Sequence, residues 1–174
     1  MMRARLALSV LLLPLLGPAA LAQTLKGHDT NAPVDFTADR IEVQDRADRV
    51  VVSGNVVVKQ AGMTMTAQRL TVAYHQTGGV EIDRMDASGG VVITRANERA
   101  SGSVAIYDLN RRLITMVGSV QLTQGANKLT GQRLLIDLAS GRSTVDGRAS
   151  GAPGTSASPS GRVSGTFKVR QGGN

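Results

Sequence analysis

Apolar and polar residues alternate with a period of two along most of this chain. Val34, Phe36 and Ala38 alternate with Asp35, Thr37 and Asp39, and Ile41 and Val43 with Glu42 and Gln44. Met63, Met65 and Ala67 alternate with Thr64, Thr66 and Gln68, and Leu70, Val72 and Tyr74 follow. Val120 and Leu122 alternate with Gln121 and Thr123, and Leu134, Ile136 and Leu138 surround Leu135 and Asp137. Successive side chains of a strand point to opposite faces, so this spacing predicts half-buried antiparallel strands with one apolar face. Turn formers interrupt the runs at Asp45 to Asp48, Ser53-Gly54-Asn55, Gly62, Thr77-Gly78-Gly79, Ser88-Gly89-Gly90, Asn97, Gly118, Gly125-Ala126-Asn127 and Ser140-Gly141. They predict strands of about five to eight residues in an all-β sandwich, roll or solenoid. The best helix candidate, Ala96 to Ile106, contains Gly102 and two serines, which are poor helix formers.

One phrase recurs four times. Thr37-Ala38-Asp39-Arg40-Ile41-Glu42-Val43 returns as Thr66-Ala67-Gln68-Arg69-Leu70-Thr71-Val72. It returns more loosely as Ala100-Ser101-Gly102-Ser103-Val104-Ala105-Ile106, and again as Thr130-Gly131-Gln132-Arg133-Leu134-Leu135-Ile136. A glycine follows each copy (Gly54, Gly89, Gly118, Gly147), and Arg49, Arg84, Arg112 and Arg142 stand shortly before those glycines. A fixed period marks a fold made by stacking one supersecondary unit on the next, an architecture suited to binding surfaces and scaffolds.

Each unit supplies strand, turn, strand and turn. A lone hairpin is marginal in water, so the units must stack into a continuous sheet folded over on itself. The expected interior lining is Val34, Phe36, Val52, Val56, Val58, Met65, Val72, Val91, Ile93, Val104, Ile106, Val117, Val120, Leu122, Leu134 and Ile136. Each such side chain, once buried, contributes about 1.5–3 kcal/mol. The lining is aliphatic and nearly without rings, which normally supply much of a core's buried area. Two readings follow: a dry sandwich core, or a slot that stays accessible to flexible alkyl chains. The sheet ends expose unpaired backbone groups, and Val34 to Thr37 is a good pairing strand, so edge-to-edge joining with copies or related domains is expected.

The termini read differently. Met1 to Arg5 is a short basic start, Leu6 to Leu16 an apolar run, and Ala20-Leu21-Ala22 a small-x-small site. This predicts a secretory signal peptide over residues 1–22, cleaved after Ala22, and an exported product. Residues 23–32 read as a flexible lead-in, 33–147 as the folded domain and 148–174 as a Gly/Ser/Pro-rich tail. Alternation at Val163, Gly165, Phe167 and Val169 makes residues 162–169 either a last strand that docks or a sticky end.

The formal net charge of +7 falls to +5 when Arg3 and Arg5 leave with the leader, which suits an anionic partner. Nucleic acid is not expected, because Phe36, Tyr74, Tyr107 and Phe167 are too few rings to stack bases. With no cysteine, disulfides, thiolate catalysis and cysteine metal sites are excluded. No cofactor or metal is expected. Catalysis has little support: His28 falls in the lead-in, and His75 has no acid or second histidine beside it in sequence. Asp45, Asp48, Asp83 and Asp86 read as turn residues. Arg40, Arg69 and Arg133 share one register of the repeat and so one face. They either pair with Asp39, Glu42 or Asp137, or form a ladder that attracts anionic head groups.

These residues resemble a known family. Pro33 to Asp39, Arg49 to Val58 and Met65 to Val72 resemble the opening of the LptA family, also called OstA-like, of periplasmic lipopolysaccharide-transport proteins. Gly89-Gly90-Val91, Gly118-Ser119-Val120 and Thr130 to Leu134 continue the likeness, which covers about residues 33–147. The resemblance implies a twisted, open β-jellyroll of stacked antiparallel strands in the periplasm. It implies a non-enzymatic protein whose apolar interior binds the acyl chains of lipopolysaccharide, with Val34 and Phe36 at positions that contact lipid. It implies head-to-tail self-association and a bridge from an LptC-type inner-membrane protein to an LptD-type outer-membrane protein. The alternative function is a structural β-scaffold that binds no lipid and joins envelope proteins through its edges.

Overall fold

The computed structural model describes residues 28–147 and 161–168. The expected leader with its cleavage site, and most of the expected tail, lie outside the described residues. The alternating segments become β1 (Asp35–Thr37), β2 (Arg40–Gln44), β3 (Arg49–Gln60), β4 (Met63–Gln76), β5 (Val80–Arg95), β6 (Glu98–Asp108), β7 (Leu113–Gln124), β8 (Asn127–Asp137), β9 (Arg142–Asp146) and β10 (Ser164–Thr166). A single 3-10 turn, Asp45–Ala47, joins β2 to β3, and there is no α-helix among the described residues.

All strands belong to one antiparallel sheet. Six of them, β3 to β8, follow one another in order; β1 and β2 both pair with β3, and β9 and β10 both pair with β8. The two ends of the sheet are therefore split, and each long strand has two halves. One half-sheet runs from β1 to β10, the other from β2 to β9. They face each other across the core: Ile93, Ala100 and Leu122 of the β1 half-sheet meet Ile136 of the β2 half-sheet around one small cavity. The result is an open, twisted β-jellyroll.

The strands are longer than expected, and the reason lies in the glycines. β3 to β8 run for 11 to 16 residues. Gly54, Gly89 and Gly118 are not turns between strands; they lie within β3, β5 and β7, where the pairing register shifts. Each opens a pair of left-handed residues: Gly54 and Asn55 at φ 76° and 47°, Gly89 and Gly90 at 86° and 79°, Gly118 and Ser119 at 84° and 50°. An extra residue of this kind makes a β-bulge, which bends and twists its strand. Three of the four units thus end on a bulge, which sets the line along which the sheet folds over, while Gly147 lies just past the end of β9.

A polar residue of the recurring phrase closes each bulge, the third in the first two copies and the fourth in the next. Asp39 N–H donates to Gly54 O at 2.9 Å, and Asn55 Nδ2 donates to Asp39 Oδ2 at 2.9 Å. Gln68 lies over Gly89, where a Cβ would sit 2.6 Å from the Gln68 Cβ. Ser103 Oγ donates to Gly118 O at 3.2 Å. Successive units are also tied at the other end, where Tyr74, Leu109 and Leu138 donate backbone N–H groups to Asp48, Asp83 and Arg112 carbonyls.

The core between the half-sheets is formed by residues such as Val52, Leu70, Met85, Ala87, Ile114, Met116 and Leu134, each without measurable exposure. Methionines fill it where rings would in another fold; Tyr107 is the one ring among its largest fully buried side chains.

Candidate functional site

The interior is not equally closed along its length. Between β4 and β8 it is packed, and Val52, Val56, Val58, Met65, Val91, Ile93, Val120, Leu122, Leu134 and Ile136 are all buried there or at its margins, as expected from their spacing. At the β1–β2 end it opens into a cavity of about 450 Å³ lined by Phe36, Ile41, Val43, Asp45, Val50, Val72, Tyr74, Gln76, Val80 and Ile82. Its surface is almost wholly apolar. The cause is positional. Ile41 and Val43 face inward from β2, but β2 is an edge strand, so nothing covers their outer flank. Ile41 is 53%, Val43 60% and Val80 67% exposed, whereas Leu70 and Val72, their equivalents in the second repeat, are 0% and 3%. Exposed apolar side chains grouped around a concavity mark a binding surface rather than scattered surface noise.

Of the sixteen expected lining residues, Phe36 and Val72 reach this cavity, and Val34 lines a neighbouring one while packing against the core. Ile41, Val43, Val50, Tyr74, Val80 and Ile82 were not anticipated as lining. The repeat carried the signal for two of them, since Ile41 and Val43 hold the same positions as Leu134 and Ile136.

Val104, Ile106 and Val117 are corrected by the structure: they are half-buried on the outer face. In β6 the buried residues are Ala100, then Ala105 and Tyr107, because the irregularity between Ser101 and Val104 changes which alternate positions face inward. Val117 lies outside because its neighbour Met116 is the buried one.

One cross-strand row runs Arg40, Ser53, Arg69, Ser88, Val104, Val117, Arg133, Asp146 across the outer face. Directly paired residues share a face, so the three arginines do lie on one side. They do not form an unbroken ladder: Arg40 and Arg69 are two strands apart, about 10 Å at ordinary strand spacing, and Ser88, Val104 and Val117 separate them from Arg133. Arg40 Nη2 lies 3.3 Å from Glu42 Oε2, a solvent-exposed pair of small energetic weight. Arg133 Nε is buried without a hydrogen-bond partner.

Among the described residues, the remaining polar groups assemble no catalytic site. His75 acquires acid partners that sequence distance concealed: Nδ1 lies 2.9 Å from Asp83 Oδ1 and Nε2 3.4 Å from Glu81 Oε2, while Asn110 Nδ2 donates to Asp83 Oδ1 at 2.9 Å. The Asp83 hydrogen bond raises the His75 pKa above its ordinary value, and His75 with Asn110 holds the Asp83 carboxyl below its own. No nucleophile adjoins this exposed cluster among the described residues, and none of their His, Asp and Glu groupings could hold a metal ion. His28 is not in a loose lead-in; it is 7% exposed and bonded to Gln60.

The described residues thus form a bent antiparallel jellyroll whose apolar interior opens at one end. The LptA/(LptD N-terminal domain) LPS transport protein family matches residues 35–142. The chain belongs to that family, whose members are periplasmic, non-enzymatic transport proteins. The crystal structure of LptH from Pseudomonas aeruginosa, described as the LptA homologous periplasmic component of the lipopolysaccharide transport device, has the same fold. Its TM-score is 0.71 at 19% identity, with 82% of this chain and 99% of that one covered. An uncharacterized protein of Rhizobium meliloti (strain 1021) is 29% identical over 156 residues, 82% of this chain and 84% of its own. No helix among the described residues is long and apolar enough to cross a membrane.

Proposed function

We propose that this protein shields the acyl chains of lipopolysaccharide in the periplasm and forms part of a bridge between inner- and outer-membrane export components. The observation that carries this reading is the apolar cavity at the β1–β2 end, continuous with the core and left uncovered by an edge strand. Each methylene removed from water there contributes about 0.8 kcal/mol, so long alkyl chains have a strong reason to enter. The packed centre requires the half-sheets to part for a chain to travel further. The groove holds no energy source, so directional flow must be driven by another component. Arg40 and Arg69, on the outer face near the same end, are candidates for contact with anionic head groups.

The bridge follows from the edges. β2 and β9 are exposed five-residue strands, and β1 and β10 three-residue strands, at opposite ends of one stack. If a second copy adds in the same register, Arg40 of one copy lies beside Asp146 of the next, Ile41 against Val145 and Phe36 over Gly165. Related LptC-type and LptD-type domains would use the same two ends. Reversing charge at either Arg40→Asp or Asp146→Arg should weaken self-association about fivefold, as expected for about 1 kcal/mol of opposed charge, and the double reversal should restore it. Sedimentation velocity reads this; equal association of all four proteins would exclude the register.

The packed centre also suits the rival reading, a scaffold that binds no lipid. Titration of delipidated protein with a fluorescent fatty-acyl ligand separates the two. Saturable binding that lipopolysaccharide displaces supports the carrier; no binding leaves the scaffold.

A further inference from the structure

The seam between the half-sheets is covered near the apolar cavity by residues that belong to neither. Residues 29–32 form a tight turn, with Ala32 N–H donating to Asp29 O at 3.3 Å and Asn31 N–H to Asp29 Oδ1 at 2.9 Å. This turn rests on Gln60, the last residue of β3, which is 2% exposed. Gln60 Nε2 donates to the carbonyls of Thr30 and Ala32, both at 3.0 Å. Gln60 Oε1 accepts the Tyr107 hydroxyl at 2.9 Å and lies 3.1 Å from His28 Nε2. Gln60 belongs to the β1 half-sheet and Tyr107 to the β2 half-sheet. One side-chain amide therefore ties the N-terminal segment to both halves and uses its full bonding capacity to do so. Under the segment lies a cavity of about 470 Å³ that shares Val80 and Ile82 with the apolar one.

We propose that residues 28–34 are a strap that seals the seam beside the apolar cavity, and that a proton on His28 releases it. The proposal deepens the carrier reading and rests on it for its purpose, since a chain can enter the interior sideways only where the half-sheets part. Gln60 Oε1 only accepts, so His28 Nε2 must carry the hydrogen and Nδ1 is the bare nitrogen. That Nδ1 is buried without a partner. A second proton would place a charge and a donor there with nothing to receive it, a costly arrangement away from water.

The groups facing His28 are Asp29 on its own segment, Gln60 on β3, Arg95 on β5 and Tyr107 on β6. Burial, aided by Arg95, holds the His28 pKa below its ordinary value and outweighs Gln60 and Asp29, which favour the charged form. Burial pushes the Tyr107 hydroxyl far up, so it stays a neutral donor throughout. Because the folded value is lowered, the latch is fully held above about pH 6.5 and weakens as pH falls below that toward the folded value.

Hydrogen exchange of the lipid-free protein at about pH 7.5 and about pH 5.5, which bracket the ordinary histidine value, tests this after correction for intrinsic rates. The amides of residues 29–32 and 34 should gain up to about tenfold in exchange per pH unit between the two pKa values, while those of β4 to β8 should not change. His28→Gln should keep the strap closed at both pH values, and Gln60→Ala should open it at both. Uptake of a pyrene-labelled long-chain alcohol, whose head does not titrate, should be faster in acid and in Gln60→Ala. Exchange that ignores pH, or that responds equally in His28→Gln, overturns the latch. Uptake indifferent to Gln60→Ala overturns the gate. Absence of probe binding in every variant overturns the carrier reading and with it the gate, while exchange still judges the latch by itself.

Discussion

Val43→Asp should lower affinity for an acyl ligand about 30-fold while leaving the folded domain nearly as stable as before. Val43 is 60% exposed on the uncovered flank of β2 yet points into the apolar cavity. Its contact with a bound chain is worth about 2 kcal/mol, the scale of one buried aliphatic side chain, and that energy converts to the stated factor. A carboxylate in its place would also have to lose water when the ligand arrives, which adds to the loss. In the free protein the same carboxylate stays hydrated, so unfolding free energy should move by no more than about 0.5 kcal/mol. Phe36→Asp should weaken binding at least as much, but with a cost in stability, because Phe36 is half-buried against the core. Lipopolysaccharide crosslinking and chemical denaturation on the same variants measure both quantities. Undiminished crosslinking in Val43→Asp would mean that lipid does not use this end.

Gly89→Val should destabilise the domain by about 3 kcal/mol or more, the largest effect expected from one substitution. Two costs combine. The backbone at Gly89 has φ 86°, a left-handed conformation that disfavours any Cβ by about 1–2 kcal/mol and a branched side chain most of all. The new Cβ would also lie 2.6 Å from the Cβ of Gln68 on the neighbouring strand, so the bulge cannot keep its geometry. At the usual scale of a few degrees per kcal/mol for a domain of this size, the melting midpoint should fall by about 10 °C. Gly90→Asn is the control. Gly90 also has positive φ, but a Cβ there meets nothing within 4 Å, and Asn55 already occupies the matching place in β3 at φ 47°. It should be tolerated with little loss. Equal damage from both variants would mean that backbone conformation alone, and not the close approach of Gln68, fixes the bulge.

These expectations show which parts of the site were legible in advance. Alternation at Met63 to Ala67 and at Leu134 to Leu138 announces strands and an inner face, because a pleated chain has no other way to segregate such residues. The recurring phrase announces stacked units. It did not place Val104: in the repeat Val104 stands where Ile41, Leu70 and Leu134 stand, all inward, yet cross-strand pairing puts it in the outward row of Arg40, Arg69 and Arg133. Local apolarity and the repeat both suggested the interior, and the irregularity between Ser101 and Val104 turned the residue outward.

The glycines illustrate the opposite case. Ser53-Gly54-Asn55 has the composition of a hairpin turn, and nothing local distinguishes a turn from a bulge. The difference lies in what sits across from it: Asp39 and the strands on either side hold β3 in extended pairing on both sides of the kink. His28 is similar. It stands among polar residues that promise an exposed segment, yet Gln60, 32 positions away, brings it into the interior.

The sequence by itself determined the strand class, the repeating unit, the absence of cysteine chemistry and, away from the bulges, which residues share a face. The tertiary structure decided where that face is covered. Two residues of identical pattern, Val43 and Val72, differ in exposure because one lies on the last strand of the sheet and the other has neighbours on both sides. Periodicity fixes the direction of a side chain through local geometry, whereas coverage depends on where the sheet ends and what folds across it, which are properties of distant pairings.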